Sequence, residues 1–227
     1  MRLCVLSACY EKPHLASILR ESCECQQLPL FFCEAAELGG VWPASGNMRV
    51  GKLKAAYEKL LEIRKDYDYA LWADGFDTFV ISSAARITRQ WYLLGYPPMV
   101  FSAEKNCWPD EKAATCYPQT KSLYRYINAG TWMGHVGWLI DRIPITIQYQ
   151  TECNDQRLWT EAFLSGEASG AVIDSDRLIF QTMWGATAEE LAEVSPCVVH
   201  YNGGIWRNPN DRRYVEHWER VKCGGCK

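Results

Sequence analysis

The sequence predicts an α/β fold in which a mostly parallel central sheet carries helices on both faces. Two observations predict it. Apolar runs of strand length alternate with segments of helical spacing through the first half of the chain, and a β-α-β-α-β order needs crossovers that place helices over a parallel sheet. A third concerns extent. The 227 residues hold no internal repeat, low-complexity tract or Pro/Ser-rich linker, so residues 1–227 are expected to form a single domain with a substantial core.

Residues 3–9 read as the first strand, 14–25 as a helix and 29–34 as the second strand. A Gly-rich loop around Gly39, Gly40 and Gly46 leads into a helix over about 48–65. Val50, Leu53, Ala56, Tyr57, Leu60 and Leu61 recur there at helical spacing. A short buried strand, 68–73, ends at Asp74. A helix over 83–94 and a strand over 99–103 follow. The second half reads as loops over 104–122, strands near 131–135, 171–173 and 197–200, and helices near 136–143 and 154–164. A polar helix and a Cys-containing tail fill 210–227.

Composition excludes several classes. With 48% hydrophobic and 22% charged residues, the chain reads as globular rather than disordered. A net charge of −3 argues against a general electrostatic grip on nucleic acid. No apolar stretch is long enough to span a bilayer, and the run from Leu3 to Cys9 is too short for a signal-peptide core. A bacterial or viral-host cytosol is therefore the expected compartment. Most of the 11 cysteines are expected to be reduced. Cys23, Cys25, Cys223 and Cys226 have spacings that a structural zinc ion would accept, although free thiols on a tail are the preferred reading.

Four segments carry chemistry. Asp74 and Asp77 follow an apolar strand, with Gly75 in the turn between them. Ligands gather beyond the carboxyl ends of parallel strands, and two carboxylates there can converge on Mg²⁺ or Mn²⁺. A polar turn whose first Asp caps a helix fits the spacing equally well. His200 ends the strand Val198-Val199 and precedes Asn202-Gly203-Gly204. It reads either as a nitrogen ligand or as a hydrogen-bonded structural imidazole. Asn154 and Asp155 stand at a helix start, where an Asp acts as base or stabilises a cationic sugar, and where Asn and Asp also serve as caps. Trp108 and Asn128 lie in segments suited to sugar recognition, an aromatic face for C–H bonds and an amide for hydroxyls.

Taken in order, LWADGFD, FSAEKNCWPDEKAATCYP, YINAGTWMG, NDQRLWTEAF, VIDSDRLIFQTMWGA and VVHYNGG resemble the glycosyltransferase domain of procollagen lysyl hydroxylases. More loosely, they are similar to other GT-A-fold collagen glycosyltransferases. Order and spacing agree over about residues 3–206. The resemblance implies a GT-A fold, a UDP-sugar donor, and Mn²⁺ (with Mg²⁺ as the alternative) held by Asp74, Asp77 and His200. It places Asp155, Asn154 and Trp108 at the reacting centre. Cys9, Trp42, Arg49, Phe76, Asn202 and Gly203 fall around the donor, where Asn128 is also expected. The acceptor would be a hydroxyl on a hydroxylysine-like side chain, a glycan or a hydroxymethylated base.

The chain departs from that family's pattern at several points. Asn154 stands where the family carries an acidic run, Phe76 where a Tyr is usual and Arg49 where a Lys is usual. The loop between Trp42 and Arg49 is shortened. No iron-dependent hydroxylase portion is present, so lysine hydroxylation is not expected. Asn154 also motivates a rival expectation, a catalytically silent UDP-sugar-binding module. A metal-dependent phosphohydrolase would use paired aspartates too, but leaves the Trp108 loop and the His200 turn without a role.

Overall fold

A computed structural model of the protein describes residues 1–8, 16–33, 47–148, 154–203 and 212–225, with the side chains of 47–50, 148 and 223–225 excepted. In the first half, β1 (Leu3–Ala8), α1 (Ser17–Cys25), β2 (Leu30–Cys33), α2 (Asn47–Ile63) and β3 (Tyr69–Ala73) alternate as the periodicity predicts. Next come β4 (Thr78–Val80), α3 (Ala84–Leu93), β5 (Met99–Glu104), β6 (Tyr126–His135), α4 (Val136–Gln148) and α5 (Asp155–Leu164). The chain continues through β7 (Val172–Ile173), β8 (Phe180–Thr182), α6 (Ala188–Ala192), β9 (Val198–His200) and α7 (Arg213–Gly225).

The central sheet has six strands in the order β2-β1-β3-β6-β5-β7. The β1–β2, β1–β3 and β5–β7 pairings are parallel. Only β6 runs against its neighbours, inserted between β3 and β5. Period-two alternation distributes β1 between the two faces. Cys4, Leu6 and Ala8 face a core shared with Leu53, Ala56, Leu60 and Ile63 of α2, Leu139 and Ile143 of α4, and Leu158 and Trp159 of α5. Leu3 and Val5 face the opposite core, with Leu19 and Cys23 of α1 and Ile87 and Trp91 of α3. Helices therefore cover both faces, as expected.

Three short strands form a second sheet in the order β4-β9-β8. Its outer side packs on α7 through Phe79, Val199, Tyr201, Tyr214 and Trp218. This sheet aligns two distant segments. β4 pairs antiparallel with β9, setting Thr78 opposite His200, and β8 pairs parallel with β9, setting Thr182 opposite the same residue. Among the described residues, no helix is long and apolar enough to cross a membrane.

Candidate metal centre

The carboxyl end of β3 delivers Asp74. Its backbone N–H donates to the Gly130 carbonyl at 2.9 Å, so the β3–β6 ladder extends one residue past the strand. On its other edge, β6 pairs with β5 irregularly. Phe101 faces Trp132 while Ser102 faces Asn128, so three residues of β6 are passed over in one step. Irregularities of this kind re-aim side chains at functional edges. Asp77 precedes β4, and its carbonyl accepts from the Tyr201 N–H at 2.7 Å. The β4–β9 pairing thereby draws Asp77 and His200 together although 123 positions separate them in the chain (200 less 77).

One ligand atom from each of Asp74, Asp77 and His200 lies within 4.8 Å of the others. His200 Nε2 stands 3.4 Å from Asp77 Oδ1. On the ring's other side, Nδ1 lies 3.0 Å from Asn128 Oδ1. That oxygen also accepts from the Gly130 N–H at 3.1 Å, while Asn128 Nδ2 donates to Glu104 Oε1 at 3.3 Å. The backbone donor fixes which end of the amide is oxygen, so Nδ1 carries a hydrogen and Nε2 is the ring atom left facing the carboxylates, able to ligate a cation once it is deprotonated. Gly130 leaves room for the group, because a Cβ there would lie 2.1 Å from His200 Cε1 and 3.0 Å from Asp74 Oδ2. Two carboxylates and a neutral imidazole form a donor set suited to a divalent first-row cation. Burial raises the Asp77 carboxyl above its usual range against the pull of His200. Burial pulls the His200 imidazolium down, but the carboxylates of Asp77, Asp74 and Glu104 outweigh it and raise its pKa.

Beside this group lies Lys52 of α2. Its ammonium contacts Asp74 Oδ1 and Asp155 Oδ2, each at 2.9 Å. Trp72 Nε1 donates to the same Asp74 oxygen at 3.3 Å, and Trp72 itself stacks on Trp132. Behind His200 sits Glu104, buried at the carboxyl end of β5. Its Oε1 accepts from Gln156 Nε2 at 2.6 Å as well as from Asn128, and its Oε2 accepts from Asn202 Nδ2 at 3.0 Å. Burial pushes the Glu104 carboxyl up to about 7 even with these three donors.

The structure thus brings Asp74, Asp77, His200, Asn128 and Asp155 into one neighbourhood, with different tasks for some of them. Asn128, expected at the donor, has both ends of its amide engaged within the protein. Asn202, expected at the diphosphate, accepts from the N–H groups of Met183 and Trp184 at 3.1 and 2.9 Å and donates to Glu104. Asn154, expected at the reacting centre, caps α5 by accepting from Gln156 N and Arg157 N. Trp108 is 47% exposed, and its carbonyl accepts from Gln156 Nε2 at 2.9 Å. Phe76 is half-buried in the turn between Asp74 and Asp77, and Gly203 is exposed with φ +90°. Cys9, Trp42, the Arg49 side chain, the Cys223 side chain and Cys226 lie outside the described residues. Cys23 is buried against apolar neighbours, which push its thiol up to about 12. Lys52, Glu104 and Gln156 escaped the sequence reading. Glu104 ends a parallel strand, and the positional rule that nominated Asp74 would have found it.

The family model of the PLOD GT domain matches residues 36–205. Similar proteins include the "Uncharacterized protein R699" of Acanthamoeba polyphaga mimivirus, 27% identical over 160 residues, which cover 70% of this chain and 32% of that protein. The "Multifunctional procollagen lysine hydroxylase and glycosyltransferase LH3" of Rattus norvegicus is 27% identical over 175 residues, 70% of this chain and 23% of the relative. The "Procollagen-lysine,2-oxoglutarate 5-dioxygenase 1" of Mus musculus is 29% identical over 182 residues, 73% of this chain and 24% of the relative. The chain thus spans a third or less of the length of these curated relatives. Among solved structures, a glycosyltransferase involved in the glycosylation of the major capsid of PBCV-1 shares the fold. Its TM-score is 0.58 at 12% identity, covering 98% of this chain and 100% of that one.

Proposed function

Because the chain belongs to the PLOD GT domain family, a family of glycosyltransferase domains, we propose that it moves a hexose from a UDP-sugar to a hydroxyl acceptor, with Mn²⁺ held by Asp74, Asp77 and His200. The observation that carries this reading is the convergence of those three side chains, with the His200 tautomer set by Asn128 so that Nε2 faces the carboxylates. The cation, when bound, offsets the negative charge that builds on UDP as the glycosidic bond lengthens. Asp74 and Asp77 supply its oxygens and His200 its nitrogen. Asp155, fixed by Lys52, offsets the positive charge that develops on the sugar. Trp108, exposed to solvent, offers its aromatic face to the sugar. Asn154, as the cap of α5, sets where Asp155 stands. The backbone of the Asn202-Gly203 turn approaches the diphosphate, because the Asn202 side chain is occupied elsewhere. The acceptor hydroxyl belongs to a hydroxylysine-like side chain, a glycan or a hydroxymethylated base.

A donor screen tests this. The protein is incubated with several UDP-hexoses, with and without Mn²⁺, and free UDP is measured. Release that depends on Mn²⁺ and is abolished in Asp74→Ala supports the proposal. No Mn²⁺-dependent release from any UDP-hexose, with or without a hydroxyl acceptor, contradicts it.

A further inference from the structure

Lys52 does something that the metal ligands alone do not explain. It is the one cationic side chain touching both Asp74 and Asp155 among the described residues, and only 14% of its side chain is exposed. A half-buried ammonium between two carboxylates needs a reason, since even partial desolvation is costly unless its partners are held in place. Lys52 reaches both oxygens of Asp74. Oδ1 accepts from Lys52 at 2.9 Å and from Trp72, while Oδ2, which lies toward Gly130 and the His200 ring, also accepts from Lys52 at the longer 3.3 Å. Lys52 therefore places its positive charge on a metal-ligating carboxylate while bridging to Asp155 with the same atom.

Charge gives the consequence. Asp74, Asp77 and Asp155 carry three negative charges, Lys52 returns one positive charge and a divalent ion two. The set is then neutral before an anionic diphosphate arrives. Without Lys52 it would stay negative and repel the donor.

We infer that Lys52 is the second cation of the donor site: it holds Asp74 and Asp155 together and supplies the positive charge that lets a nucleoside diphosphate bind beside the divalent ion. This rests on the glycosyltransferase reading above and adds a residue to it. The same charge opposes the divalent ion itself, so the two ligands respond to Lys52 with opposite sign. A merely structural lysine would weaken both.

Titration calorimetry on the whole chain separates these outcomes, with MnCl₂ alone and with UDP at saturating MnCl₂. Lys52→Met should bind Mn²⁺ as tightly as the wild type or more so, and should lose about tenfold or more in UDP affinity. Lys52→Arg, which keeps the charge, should stay within about threefold of wild type for UDP. Lys52→Gln serves if the Met variant does not fold. Unchanged UDP affinity in the neutral variant overturns the inference, as does a parallel loss of Mn²⁺ and UDP binding or an Arg variant as defective as Met. Wild-type protein that binds neither Mn²⁺ nor UDP overturns the glycosyltransferase reading first, and this inference with it.

Discussion

His200 Nδ1 and Asn128 Oδ1 lie 3.0 Å apart, a contact between β9 and β6 that fixes the imidazole from behind. The Asn128 oxygen is itself held by the Gly130 N–H, and its nitrogen by Glu104. Three elements of the chain thus determine which ring nitrogen is available to a cation.

Asn128→Ala removes that support. Loss of an outer-shell partner lowers metal affinity by about 10–100-fold, and the variant is expected to bind Mn²⁺ in that range more weakly. Leaving the buried Gly130 N–H without its acceptor should also cost about 1–3 kcal/mol of stability. A Mn²⁺ titration followed by electron paramagnetic resonance reads the first effect, and urea unfolding the second.

Gly130→Ala strikes the ring directly. The added Cβ would lie 2.1 Å from His200 Cε1 and 2.8 Å from Nε2, so the imidazole must turn away. Stability should fall by about 1–3 kcal/mol, as in other overpacked sites, whereas Mn²⁺ binding should fall by about two orders of magnitude. The same two titrations check it, and metal binding that survives intact would show that the ring has room elsewhere.

Glu104→Gln bears on pH. Burial raises the Glu104 carboxyl from its ordinary 4.5 to about 7. The folded state therefore favours the protonated form, so the stability this group contributes is fully present below 4.5 and is lost as pH rises through about 7. The loss amounts to about 3 kcal/mol. Gln stays neutral throughout, so Glu104→Gln should lack that part of the pH dependence. Urea unfolding of both proteins at about pH 5 and about pH 8 measures it. The wild type should lose more stability between the two than the variant does.

Much of the fold was legible because its pattern is local. The spacing of Leu53, Ala56 and Leu60 marks α2, and the apolar run ending at Asp74 marks β3. β4 and β8 were not read. Each has only three residues, too few for a period, and both exist because they pair with β9. The candidate ligands were legible as types at strand ends. Their surroundings were not, because Asn128, Glu104, Gln156 and Asn202 form a network across β5, β6, α5 and the turn after β9. Asn154 shows the reverse case: its place at a helix start was legible, and its cap is what the structure displays. Lys52 was hidden because helical spacing says nothing of what lies across from it, and its importance comes from Asp74 and Asp155 arriving over it.

The most direct test of the central claim is a Mn²⁺ titration by electron paramagnetic resonance on the wild type and on Asp74→Ala, Asp77→Ala and His200→Ala, each checked for fold by circular dichroism. The account predicts one bound ion per chain in the wild type and at least about a hundredfold weaker binding in every variant that keeps its fold. Wild-type protein that takes up no Mn²⁺, or an Asp77→Ala or His200→Ala variant that binds it as the wild type does, would contradict the account.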